Sequence, residues 1–217
     1  MSDTHISRNE LRDRVIDVAI ASFHQEGIKA VTMDAIAHRL TMSKRTLYQL
    51  FGDKEELLLA CLKKKQQEDR KRWEQTARTA GNVLEFILKE FSANMQNCAH
   101  ISPAFFSEIK KYPQVIAYSR NSNKEQRKDA VRFLERGVEQ GIFRPGIDFN
   151  IIYPVIMQQV DFVMNNPEFE TYNMVDLFAN TAMITIRGCT TLKGAAMMDE
   201  FMDKWRKEYE ENQPEKH

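Results

Sequence analysis

This 217-residue chain lacks most of the features that would assign it to a crowded class. It has no net charge: 31 Lys and Arg balance 31 Asp and Glu, which excludes a uniformly basic nucleic-acid coat. Any nucleic-acid function must then rest on a local patch. Its three cysteines, Cys61, Cys98 and Cys189, are widely spaced and form no CxxC or CxxH pattern, so neither a disulfide framework nor a zinc site is indicated. The histidines, His5, His24, His38, His100 and His217, make no ligand pair at helical spacing, and no metal is expected. No apolar run approaches the roughly 18 residues of a membrane span. The polar start MSDTHISRNE has no apolar signal core, so the cytoplasm is the expected compartment. Carboxylates are plentiful, but no pair sits among apolar neighbours as general acid–base work requires. A nucleophile elbow, a phosphate-binding loop and a dinucleotide fingerprint are all missing. Neither an enzyme nor a cofactor is expected.

Glycine and proline are also scarce, at 8 and 6 residues, and alternating β-branched stretches are rare. What is present is helical periodicity, in a chain whose 42% hydrophobic and 29% charged content suits a globular protein. A first helix is expected over 8–25, with Leu11, Val15, Val18, Ala19 and Phe23 on one side and Gly27 ending it. Thr32 can cap a second helix carrying Asp34, Ile36, Ala37 and Leu40, and Ser43 a third, very short one carrying Leu47. Asp53 with Glu56 forms the Asp variant of a capping box that opens a long fourth helix. Further helices are expected over 82–98, 103–119, 123–140, 148–165, 172–188 and 195–211. Pro103 fits the first turn of one of them, 141–146 is the strongest break, and Asn165-Asn166-Pro167 stops another. The expected fold is all-α, with short helices over 1–55 and a larger helical domain over 56–217.

Chemistry can be argued for 32–51. A helix-turn-helix braces one helix across the DNA backbone and inserts the next into the major groove. Ser43, Lys44, Arg45 and Thr46 crowd the start of the third helix, while Leu47 and Phe51 can turn inward. Unpaired N–H groups at a helix start attract phosphate, Arg can read guanine with two hydrogen bonds, and Lys, Ser, Thr and Tyr mostly hold phosphates. Between 39 and 54 the cations Arg39, Lys44, Arg45 and Lys54 face one acid, Asp53, so 4 − 1 gives +3. The charged run over 63–72 is interleaved with Glu68 and Asp69 and reads as a solvated face.

Thr32, Ile36-Ala37, Ser43, Thr46-Leu47-Tyr48, Phe51, Lys54-Glu55 and Leu57 together resemble the N-terminal signature of the tetracycline-repressor (TetR) family of transcription regulators. Ala19, Phe23 and Gly27 match that family's first helix, so the resemblance covers about 8–60. It implies an N-terminal three-helix helix-turn-helix domain, then a helical-bundle domain for dimerisation and effector binding. It places Thr32, Ser43, Tyr48 and Lys54 on DNA phosphates, and Lys44, Arg45, Thr46 and Gln49 nearest the bases. Two positions depart from the pattern: Thr41 stands where Gly is usual in the turn, and Arg45 where a small residue is common.

A symmetric dimer doubles the contact with a double-stranded operator, in the form of an inverted repeat. Residues 148–165 and 172–188 are the candidate interface. Ile151, Ile152, Val155, Ile156, Val160 and Val163 cover more than one face of the first. The second carries Met174, Val175, Leu177, Phe178, Met183 and Ile184; burial of both inside the monomer is the alternative. The resemblance implies that the two pair with their symmetry mates as a four-helix bundle. It also implies an effector cavity among the central aromatic and Met residues, hence an apolar small molecule near Phe86, Phe105, Phe106, Tyr118, Tyr153, Met157, Gln158 and Phe162. Tyr118, Tyr153 and Gln158 are the candidate polar anchors, and simple core packing is the competing explanation for the apolar members. The expected function is a ligand-responsive repressor. Two alternatives stay open: a helical enzyme or small-molecule carrier with an accidental motif, and a helix-turn-helix protein without an effector.

Overall fold

Local capping chemistry sets the helix starts in the N-terminal part. In a computed structural model, which describes residues 7–98, 100–169, 171–172 and 174–211, α1 (Arg8–Glu26) opens on a reciprocal capping box. The Glu10 amide donates to Ser7 Oγ at 3.2 Å and the Ser7 amide to Glu10 Oε2 at 2.7 Å. Gly27 ends the helix at φ 83°, a left-handed conformation that glycine adopts without a Cβ clash. Thr32 Oγ1 accepts from the Ala35 amide to cap α2 (Met33–Arg39), and Ser43 Oγ from the Thr46 amide to cap α3 (Lys44–Leu50), both at 3.1 Å. At α4 (Lys54–Thr79), Asp53 accepts from the Glu56 amide at 2.8 Å as expected. The return bond differs by one residue, because the Glu56 carboxylate takes the Gly52 amide, also at 2.8 Å.

The later helices are α5 (Val83–Cys98), α6 (Pro103–Ile109), α7 (Pro113–Glu139), α8 (Phe149–Asn165), α9 (Met174–Asn180), α10 (Ala182–Cys189) and α11 (Leu192–Glu211), with a 3-10 turn over Pro167–Phe169. Among the described residues there is no strand, only one isolated antiparallel bridge between Phe143 and Thr190. Two expected spans are corrected. The helix expected over 103–119 stops at Ile109 and restarts at Pro113, since a residue before proline is pushed out of the helical region and Pro113 suits a first turn. From there α7 runs through the polar stretch at 120–123, which holds neither Gly nor Pro to stop it. The span 172–188 divides at Thr181, whose backbone leaves helical geometry (φ −124°, ψ −89°) while its hydroxyl donates to the Leu177 carbonyl at 2.6 Å.

The chain forms two compact units, one within Met1–Glu74 and Asn97–Lys124, the other within Gln75–Gln96 and Glu125–His217. The first reaches beyond residue 55 because Leu57, Leu58, Cys61 and Val115 share one core with Val15, Ala19, Phe23, Ile36, Leu47 and Phe51. In the second unit Phe91 meets Trp205 at 5.0 Å and Phe178 at 5.8 Å between ring centres, and the Trp205 indole N–H donates to Ser92 Oγ at 3.0 Å. Among the described residues no helix is long and apolar enough to cross a membrane.

Candidate nucleic-acid interface

The face of α3 follows from which side chains its neighbours bury. Leu47 is fully buried and Leu50 nearly so, against Ile36, Ala37 and the α1 side chains. The 3.6-residue period then turns Arg45, Tyr48 and Gln49 outward, and Tyr48 is 48% exposed despite its aromatic ring. Arg45 makes no ion pair or side-chain hydrogen bond among the described residues. A guanidinium, a phenol and an amide thus share one solvent-facing surface on a helix of groove-fitting width.

The other predicted DNA residues are held differently. Lys44 is paired with Asp34 of α2. Ser43 and Thr46 bond each other, Oγ to Oγ1 at 2.8 Å, within the α3 cap, and Thr32 is occupied in capping α2. Lys54 is half-buried, with Nζ 5.9 Å from the centre of the Phe23 ring; burial lowers its pKa below the usual lysine value and the Glu108 carboxylate opposes that. Arg39 is bound to Glu26 at 2.8 Å and to Ser22 Oγ, so acids outside 39–54 offset much of its +3 charge. Thr41 sits at φ 52°, so the turn keeps the left-handed conformation without the glycine usual there.

Residues 15–61 match the sequence profile of the bacterial regulatory proteins of the tetR family. Residues 15–61 are therefore a tetR-family domain. Over 154 residues the chain is 28% identical to the HTH-type transcriptional repressor KstR2 of Mycobacterium tuberculosis, covering 68% of this chain and 76% of that one. Its fold is similar to a TetR-family regulator from Agrobacterium tumefaciens (TM-score 0.68, 15% identity, 85% of this chain and 100% of the other). It is also similar to the regulator FadR of Bacillus subtilis, solved in complex with stearoyl-CoA (TM-score 0.62, 17% identity, 80% and 97%). TetR-family regulators are DNA-binding transcription factors, not enzymes.

Two residues of the first unit carry no signal in the sequence pattern. Arg8 and Arg12 reach from α1 to the last carbonyls of α3. Their spacing of four puts them on one side of α1, but nothing local says that this side meets α3.

The predicted effector residues divide between the two units. In the first, Phe105 meets His24 at 4.9 Å and Phe106 at 5.7 Å between ring centres, and Lys63 Nζ lies 5.3 Å over the Tyr118 ring. In the second, Phe86 is buried against Phe133 at 4.3 Å, and burial pushes the mostly buried Tyr153 hydroxyl up in pKa. Met157, Gln158 and Phe162 are exposed on α8, so only Phe86 and Tyr153 of this group face the unit's interior. A separate cavity of about 350 Å³ lies between α5 and α11, lined by Lys89, Ser92, Ala93, Gln96, Phe201, Lys204 and Trp205. Among the described residues no cluster of His, Cys, Asp or Glu could hold a metal; His5 and His217 lie outside the described residues.

Proposed function

We propose that this protein is a dimeric repressor that grips an inverted-repeat operator with α3 of each copy and is released by an apolar small molecule. The observation that carries the DNA part is the shared outward face of Arg45, Tyr48 and Gln49 above the buried Leu47 and Leu50. In this reading Arg45 and Gln49 reach base edges, with Lys44 and Thr46 beside them once DNA competes for their present partners. Thr32, Ser43, Tyr48 and Lys54 hold the phosphates, and residues 1–55 are the DNA-reading segment ahead of a sensing and dimerisation segment over 56–217. Repression agrees with the name of the KstR2 relative.

Dimerisation is supported by the surface of α8. Ile151, Val155 and Phe162 recur on one face with Gln158 and are 62%, 43% and 57% exposed; Ile184 on α10 is 58% exposed. The two helices are joined by Thr185 Oγ1 donating to Gln159 Oε1 at 2.9 Å. Leu177, Phe178 and Met183 are buried within the monomer, and the side chains of Met174 and Val175 lie outside the described residues. Several large apolar side chains in contact with water mark an association surface, and a second copy covers it symmetrically. Met157, Gln158 and Phe162 fit that surface better than an effector site.

Phe86 and Tyr153 are left as effector contacts within the second unit, and the stearoyl-CoA complex of FadR favours a ligand with a long apolar part. Selection of bound duplexes from a random pool tests the proposal: enrichment of an inverted repeat is the expected result. Operator release by lipophilic compounds that raise the melting temperature tests the effector. Enrichment with no releasing compound leaves a constitutive DNA-binding protein.

A further inference from the structure

A helix of seven residues has few internal hydrogen bonds with which to hold its own geometry, so the precision of α3 as a reading element has to come from outside it. Its N-terminal end is tied to α2 through Lys44 and Asp34. Its C-terminal end leaves carbonyls with no partner further along the helix. The Phe51 amide takes the Leu47 carbonyl at 2.9 Å, and two guanidiniums of α1 take the last two carbonyls of the helix. Arg8 Nη2 donates to the Gln49 carbonyl at 3.1 Å, and Arg12 Nη1 donates to the Leu50 carbonyl at 3.0 Å. The Arg12 guanidinium also lies 4.2 Å above the centre of the buried Phe51 ring. Two cations therefore sit at the negative end of the α3 dipole, where charge and hydrogen bonding act together.

We propose that Arg8 and Arg12 are positioning residues for operator readout: from α1 they set the placement of the last turn of α3, and with it the Tyr48 and Gln49 side chains. The inference rests on the reading of α3 as the element that enters the major groove. Gln49 is the residue whose own carbonyl Arg8 holds, so movement of that carbonyl moves the base-reading amide with it. A base contact through two hydrogen bonds tolerates displacements of only about 0.5 Å. A phosphate contact is a longer-ranged charge attraction and survives such a displacement. Loosening the end of α3 should therefore cost discrimination between sequences while sparing affinity for DNA in general.

The test compares affinity for the selected operator with affinity for a scrambled duplex, at low and high salt, for the wild-type chain and four variants. Arg8→Ala is the main variant, because Arg8 is exposed and supports no core side chain. It should lower the ratio of operator to scrambled affinity about tenfold, with scrambled affinity, salt slope and melting temperature unchanged. Arg8→Lys should recover part of the ratio, since an ammonium keeps the charge and one donor for the same carbonyl. Arg12→Lys should also lower the ratio, and it retains a cation above Phe51 where alanine would leave the ring uncovered. Equal loss of both affinities with a flatter salt slope would make Arg8 a phosphate contact and overturn the proposal; so would an unchanged ratio. Arg45→Ala, measured alongside, separates the two failures. If it changes base preference while Arg8→Ala does not, the positioning role alone is wrong. If neither changes it, the assignment of α3 is wrong as well.

Discussion

Thr41 is the one non-glycine residue with positive φ among the described residues, and its β-branched side chain is poorly suited to φ 52°. The left-handed region costs an L-residue about 1–2 kcal/mol, partly offset in a glycine replacement by the greater freedom of the unfolded chain. Thr41→Gly should therefore stabilise the protein by up to about 1 kcal/mol in urea unfolding, with operator affinity unchanged. His24 carries a second prediction. It is half-buried beside Phe105, and burial, with a smaller contribution from the Lys65 charge, lowers its pKa below the ordinary 6.5. The unfolded chain then takes up a proton at a pH where the folded chain does not. Stability should be level above pH 6.5 and fall as the pH drops below it, until the folded His24 also protonates. His24→Gln should remove that slope, as read from urea midpoints on either side of pH 6.5. Cys61 is the opposite kind of residue: burial pushes its thiol up to about 12, so it should resist thiol reagents in the folded protein.

At the scale of elements, α2 and α3 are joined by a charge pair that also restrains a cation proposed to meet DNA. Asp34 belongs to the first turn of α2, where a carboxylate suits the helix dipole, and it holds Lys44 at the first turn of α3. Asp34→Asn should free Lys44 for the base edges beside Arg45. Affinity should then rise most for the selected operator. An equal gain on all duplexes, with a steeper salt dependence, would instead place Lys44 on a phosphate. The caps of α2, α3 and α4 were legible because Thr, Ser and Asp act on backbone groups only three residues away. The break before Pro113 had the same local cause and could have been read from the proline. The break at Thr181 could not, since neither glycine nor proline lies within six residues of it and the competing hydrogen bond runs from Thr181 to a carbonyl in the preceding turn.

For the whole molecule, the main unsatisfied surface is the apolar face of α8 with Ile184 of α10. A charge placed there should meet water in the monomer at little cost but be buried unpaired in a dimer. Phe162→Asp should therefore give a monomer in sedimentation at micromolar concentration and lose most operator affinity, while helicity and melting of the monomer stay close to wild type. A Phe162→Asp protein that remains dimeric would remove α8 from the interface.

Patterns of 3.6-residue period, the paucity of Gly and Pro and the short-range caps determined the all-α fold and most helix boundaries, because those interactions lie within one or two turns of the chain. The spacing from Thr32 to Leu57 likewise carried the resemblance that the family profile matches over 15–61. Only the tertiary structure decided which cations of that segment are engaged. Lys44 and Arg39 are paired with Asp34 and Glu26, and Lys54 feels the charge of Glu108, which is far away in sequence, leaving Arg45 without a partner among the described residues. The same holds for Arg8 and Arg12, 41 and 38 residues from the carbonyls they hold. Such partners are brought together by burial of a shared core, and a local pattern carries no record of which side chains that burial will place in contact.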